Sequence, residues 1–183
     1  FKPKQSFPIG TVLRRGIPIF VDYDDMSAAV CKVAKVLKGG TTVAPRVAKG
    51  HYFAQGDVIM KEDVTDKSPA IKSIDTSNAD YDVLTLQSAI AGLDENDTLM
   101  EASVYVPAEG ENEAVYAAPL YIPNMVIGAD LEFKGTGIPT IDAAYEAMIL
   151  YNHVPYPIPA SWMNETKGSP CLKSNPNIMF IKQ

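Results

Sequence analysis

Two histidines, His51 and His153, and two cysteines, Cys31 and Cys171, bound the nucleophilic chemistry of this 183-residue chain. A Ser or Cys nucleophile needs a base within hydrogen-bond reach, most often an imidazole. Neither a G-x-S-x-G nor a Cys-Gly-x-Cys pattern occurs, so a triad would have to assemble without a local signature. His51, flanked by Gly50 and Tyr52, reads instead as a residue at the start of a strand. The cysteines lie 140 positions apart without a C-x-x-C or Cys/His cluster, which indicates two free, buried thiols and neither a disulfide framework nor a zinc module. Gly39-Gly40 is followed by Thr-Thr-Val rather than Gly-Lys-Ser/Thr, and no G-x-G-x-x-G is present; the glycine pair reads as a turn between strands. No cofactor is expected, and no catalytic residue.

Acidic and aromatic groups offer other chemistry. Asp75-x-x-Asn78-x-Asp80-x-Asp82 places three carboxylates and an amide within eight residues, a spacing that could ligate calcium, yet it lacks the turning Gly and the closing Glu of an EF-hand loop. A solvated, Asx-rich turn is the better reading, the group Asp22, Asp24, Asp25 is read with the same reserve, and no metal site is expected. Tyr151, Tyr156 and Trp162, interleaved with prolines, form a candidate aromatic strip for stacking sugars or docking a protein. The favoured alternative has these rings pin a Pro-rich tail to the body, since amphipathic rings anchor segments that lack regular hydrogen bonding.

The elements that must hold these groups are mostly strands. Ile plus Val outnumber Leu by 30 to 10, with 14 Pro and 9 Tyr, a bias toward strands and turns that excludes an all-α fold. Short segments containing Val, Ile, Thr or Tyr recur between Thr41 and Ala102 at the spacing of about 8 to 12 residues found in sandwiches and small barrels. Gly10–Leu13 and Ile17–Val21 read as strand, turn, strand, and Val30–Leu37 as a further strand. Gln87–Leu93 carries Ala and Leu at helical spacing, and over Ala143–Tyr151 both a helix and a strand fit, with helix slightly favoured. Residues 107–113, acidic and without large apolar side chains, make a hairpin tip or a mobile loop. Pro155, Pro157 and Pro159 favour extended geometry, and residues 177–183 read as a terminal strand. The expected fold is therefore mainly β, with α+β as the alternative: a small β-sandwich or barrel-like body with one or two short helices and an extended Pro-rich C-terminal segment. Residues 1–8 form an N-terminal arm, and the body, 9–183, is divisible near 107–113.

The net charge of −6 is unevenly spread. Residues 1–61 carry 10 Lys/Arg against 4 Asp/Glu, residues 62–146 carry 3 against 17, and residues 147–183 carry 3 against 1. An acidic centre of this size argues against a nucleic-acid groove, which needs clustered cations. The uncharged run 114–129 is 16 residues long and is interrupted by Pro119, Pro123 and Asn124, too short and broken for a membrane helix. The first residue is Phe, so a removed leader stays open and no signal fixes localisation.

The phrases PIGTVLRRGIPIF, AKVLKGGTTVAPRVAKGHYFAQGDVI, IKSIDTSNADYDVLTL and DTLMEA, followed by VIGADLEFKG, PTIDAAYEAMIL, VPYPIP and NPNIMFIKQ, resemble phage head fibre and capsid decoration proteins of the kind carried by prophages of gut bacteria. The similarity covers most of residues 9–182. It implies a structural virion protein and not an enzyme, made in the bacterial cytoplasm and bound to the outside of the capsid, with the major capsid protein as partner and a symmetric homo-oligomer, a trimer above all, as its state. The candidate capsid-docking residues are Lys2 and Lys4, on the basic arm 1–8 that could be deleted without unfolding the body, together with Arg14 and Arg15. The candidate oligomer interface is Val115, Tyr116, Leu120, Tyr121 and Ile122. The alternative is a carbohydrate-binding or host-surface adhesin using the aromatic strip, with glycan as ligand and calcium at Asp75–Asp82.

Overall fold

Tyr81–Leu86 illustrates how this chain makes strands. Its residues alternate between the two faces, with Asp82, Leu84 and Leu86 buried and Thr85 exposed, as the two-residue side-chain period of a strand requires. The computed structural model describes residues 1–154, 156–164 and 170–181. It is mainly β, with 38% strand and 3% helix, in curled sheets and half-barrels. The chain divides into two compact units: unit 1 is Phe1–Cys31 with Tyr121–Gln183, and unit 2 is Lys32–Leu120. The division therefore falls at the ends of an inserted segment, and residues 107–113 lie inside unit 2.

Unit 1 holds a five-stranded sheet in the order β1 (Lys2–Pro3), β4 (Ser27–Val30), β3 (Pro18–Asp22), β11 (Met125–Ile127), β13 (Ala143–Ala144). Only β1 and β4 are parallel in it. A two-stranded ladder joins β2 (Val12–Leu13) to β12 (Leu131–Glu132), and a four-stranded sheet runs β14 (Ala147–Leu150), β17 (Ile178–Ile181), β16 (Cys171–Leu172), β15 (Met163–Asn164). Leu13, Ile17, Ile19, Leu172, Ile178 and Phe180 are fully buried. Unit 2 is one six-stranded sheet in the order β7 (Ile59–Lys61), β10 (Thr98–Glu101), β5 (Val33–Leu37), β6 (Arg46–Ala48), β9 (Tyr81–Leu86), β8 (Ile71–Asp75). Its core gathers Val36, Val47, Ile59, Ile71, Leu84 and Leu99, among others.

Several expectations need correction. Residues 1–8 are not a free arm: β1 pairs with β4, the Phe1 main-chain nitrogen donates to the Ile141 carbonyl at 2.8 Å, and the Gln5 amide exchanges two hydrogen bonds with the Val30 main chain. Deleting them would strip an edge from a buried strand and remove these bonds. Residues 30–37 are not one strand but the end of β4 and all of β5, parted at the unit boundary. Over 143–151 strands win over helix, because β14 gains a parallel partner in β17, and 87–93 forms turns. Among the described residues the helical pieces are two single 3₁₀ turns, Tyr151–His153 and Ala160–Trp162. Cys171 is only half-buried, while Cys31 is buried as expected. Of the Pro-rich segment, Pro155 lies outside the described residues, as do Lys182 and Gln183 of the terminal strand. Among the described residues no helix is long and apolar enough to cross a membrane.

Candidate functional site

The ionisable groups that are buried serve one another. Lys32, 5% exposed, places its Nζ 2.7 Å from Asp57 and 3.2 Å from Glu101, both largely buried. Asp57 also accepts the Ala54 N–H at 2.7 Å. Asp82, on the inward face of β9, is bonded by the Lys49 ammonium and lies 3.1 Å from His51 Nε2. The Phe53 N–H donates to His51 Nδ1 at 3.1 Å, so Nδ1 is the acceptor and Nε2 carries the proton that faces Asp82. Burial pushes this imidazole below its ordinary value, against the opposing pull of Asp82. Both ring nitrogens are engaged, and the ring acts as a strut tying the β6–β7 connection to β9. None of these ion pairs was visible in the sequence, since their partners are 25 to 69 positions apart.

The acidic run 75–82 resolves into local turns. Asp75 accepts the Ser77 N–H at 2.9 Å, which holds it below the usual carboxylate range, and Asn78 accepts that of Asp80 at 2.9 Å. Among the described residues no group of three His, Cys, Asp or Glu is placed to hold a metal ion. The aromatic strip is not a surface: Tyr156 and Trp162 are each 4% exposed. The Tyr156 hydroxyl donates to the Cys31 carbonyl, and the Tyr151 hydroxyl accepts the Ile158 N–H.

All four docking candidates belong to unit 1. Lys4 lies 2.8 Å from Asp22 and 3.3 Å from Asp25, and Arg14 lies 2.8 Å from Asp130. Lys4 lowers Asp22, its own pKa rising in return, and the Arg15 N–H with the Arg14 guanidinium does the same to Asp130. Two of the four cations are thus already matched, while the Lys2 and Arg15 side chains are exposed without such a partner among the described residues.

Residues 102–120 form a hairpin-like ribbon held by isolated bridges. Main-chain bonds close it at Ser103 to Ala118, reciprocally between Val106 and Val115, and reciprocally between Glu109 and Asn112. Gly110, at φ +61°, opens the two-residue turn, the position where a type II′ hairpin needs a positive φ. Its base is fastened by the Ala117 N–H to the Thr65 carbonyl at 2.8 Å and by the Tyr105 N–H to the Ser68 hydroxyl. Val104, Val106, Val115 and Tyr116 nonetheless remain 49 to 61% exposed. The tip carries Glu109, Glu111 and Glu113, all exposed, and no Lys or Arg occurs from 102 to 120.

The candidate interface therefore divides. Val115, Tyr116 and Leu120 lie exposed in unit 2, whereas Tyr121 and Ile122 belong to unit 1, with Tyr121 stacked on Phe20 at 5.8 Å. Val104 and Val106 were missed, although the alternation in SVYV on one side of the acidic tip mirrors AVY on the other.

Unit 1 presents a second open feature, a groove of about 570 Å³. Its floor is β11 with Gly128 and Ala144, one wall is β14, and Arg15, Glu146 and His153 are its ionisable lining groups. Gly16, at φ +86°, lies close to β14: a Cβ there would sit 3.2 Å from Ile149 Cγ2. Buried Asn175 spans the Asn124 and Tyr145 carbonyls at 2.9 and 2.8 Å, tying the segment before β11 to the segment before β14.

No protein family model, no curated protein and no solved structure matches this chain.

Proposed function

We propose that this chain is a structural virion protein, a head fibre or decoration protein that binds the outside of a phage capsid as a symmetric oligomer, the trimer being the favoured form, and performs no catalysis. The observation that carries this reading is the exposed apolar ribbon of unit 2, supported by the resemblance of most of residues 9–182 to proteins of that class. An exposed cluster of large apolar side chains marks an interaction surface, and the buried ionisable clusters serve the fold instead. Capsid attachment works through many copies of a modest contact, where each symmetry-related engagement raises the effective concentration of the next. Lys2 and Arg15, the docking cations without a carboxylate partner among the described residues, face the shell, and the protein resides on the virion surface. The adhesin alternative draws on an aromatic strip whose Tyr156 and Trp162 are buried, which removes its surface.

Co-sedimentation with assembled shells of the major capsid protein tests this. The chain pellets with shells in saturable amounts, and Lys2→Glu with Arg15→Glu lowers the bound fraction about tenfold or more, as the loss and reversal of two contacts at about 1 kcal/mol each implies. Absence of co-sedimentation at every concentration sinks the proposal.

A further inference from the structure

Three side chains of unit 2 are placed to react with one another. Lys32 immediately precedes β5, Glu101 closes β10, and Asp57 lies two residues before β7. The sheet order β7, β10, β5 puts Glu101 on the strand between the other two. The Glu101 N–H donates to the Lys32 carbonyl at 3.1 Å, which holds those residues side by side. The Lys32 Nζ lies 2.7 Å from Asp57 Oδ2 and 3.2 Å from Glu101 Oε1, and the three side chains are 5, 14 and 10% exposed. The Asp57 carboxyl carbon is one C–O bond, about 1.2 Å, beyond Oδ2. It is therefore no farther than about 4 Å from the nitrogen, near the separation of about 3–3.5 Å from which a positioned nucleophile attacks. Rotation of the carboxyl about its own soft terminal torsion presents the face of that carbon.

We infer that Lys32 and Asp57 join in an intramolecular amide bond, with Glu101 relaying a proton. The ion cluster is the state before that step. One proton passes from the Lys32 ammonium to Asp57 Oδ2 along their contact, leaving an amine and a carboxylic acid, and a site that water scarcely reaches favours such a neutral pair. The nitrogen lone pair then forms the C–N bond, and the Glu101 carboxylate takes a second proton from the nitrogen. Glu101 hands that proton to Oδ2, which departs as water with the electron pair of the C–Oδ2 bond, while Oδ1 becomes the amide oxygen. The Ala54 N–H, which donates to Oδ2 at 2.7 Å, is aimed at the oxygen on which charge develops as that bond breaks. Ammonium and carboxylate thus become one secondary amide and one water, Glu101 is a carboxylate before and after, and no co-reactant is consumed. Reactions between groups held in this way gain effective concentrations of about 10⁵ M or more, which drives a condensation that dilute amines and acids do not complete. The bond ties β5 to β7 across β10 and closes a loop over residues 32–57, removing freedom from the unfolded chain without depending on redox conditions. It is a single maturation step of the chain itself and stands apart from the virion role.

Intact-mass spectrometry of the full chain, denatured after days at neutral pH, tests this. Wild type is lighter than its sequence mass by one water. Trypsin leaves the Lys32–Val33 bond uncut and releases a branched peptide in which residue 32 is joined to residue 57. A wild type of full sequence mass, or a water loss confined to one linear peptide as a succinimide would give, overturns the inference. Asp57→Ala, which leaves Lys32 paired with Glu101, keeps its full mass, and a water loss that persists in it counts equally against the bond. Glu101→Gln, which leaves Lys32 paired with Asp57, loses water about 100-fold more slowly in freshly synthesised protein; an undiminished rate removes Glu101 from the reaction and overturns the mechanism. Should either variant lose its native near-UV dichroism, the wild-type mass and the branched peptide decide the matter by themselves.

Discussion

Lys32 shows what a buried charge does in this molecule. Removing a cation that neutralises two carboxylates leaves both in a poorly solvated site and facing each other, a loss of about 3–5 kcal/mol for a buried pair broken from one side. Lys32→Ala should lower urea-unfolding stability by that amount, and a change below about 1 kcal/mol would show that water reaches the site freely. His51 gives the chain a pH dependence of definite sign. Its folded pKa lies below the ordinary 6.5, so in the interval between the two the unfolded chain holds a proton that the folded chain refuses. This stability is complete above about pH 6.5 and is lost as pH falls through the folded value. Protonation would also convert Nδ1 from acceptor to donor, facing the Phe53 N–H, while Asp82 and Lys49 on the other side, and Asp57 farther off, partly offset one another. Urea midpoints should decline between pH 7 and pH 5 and flatten in His51→Gln. An equal slope in the variant assigns the effect elsewhere, and it cannot be the paired Asp22, Asp75 and Asp130, whose carboxyls already titrate below 3.8.

At the level of elements, β1 is short but covers one side of a strand whose four residues are all buried. Truncation of residues 1–8 should lower the melting temperature of the protein and promote aggregation through the bared edge of β4, and an unchanged melting curve would mean that the β1 pairing contributes nothing in solution. How far such elements could be read from the sequence depended on whether their signals were local. The ribbon tip was legible because PAEGENE combines a turn glycine with charge and lacks apolar bulk. The turns at Asp75–Asp80 were legible because Asp and Asn bond their own neighbours. By contrast, IDAAYEAMIL fits periods of both 2 and 3.6, and what decides it is β17, nearly thirty residues later. Residues 30–37 hid their break for a related reason: nothing in AVCKVAKVL marks Lys32 as the place where the chain leaves one sheet for another, because its partners Asp57 and Glu101 lie elsewhere in the sequence.

For the whole molecule, the charge asymmetry of the sequence does not survive folding as a polarity of the chain. Unit 1 collects 8 Lys/Arg and 8 Asp/Glu, while unit 2 collects 8 against 14 and holds all of the net −6. The basic first third is shared between the two units, and part of it is neutralised by acids of the same unit. The β-rich class was legible from composition, because β-branched and aromatic content is a property of the entire chain, whereas the nesting of one unit inside the other is a property of pairing alone. That nesting also bears on the order in which the protein acquires its shape. Lys32 and Leu120, the two ends of the insert, are both bonded to the main chain of Glu101, at 3.1 and 2.9 Å. Once the insert has folded, the long excursion between β4 and β11 shortens to the span of a single residue's two flanks, and the entropy of closing the host sheet falls with the logarithm of that effective length. Synthesis completes the insert while the second half of its host is still being made, so an insert that folds first would return β11 to the side of β3 at a smaller entropic cost.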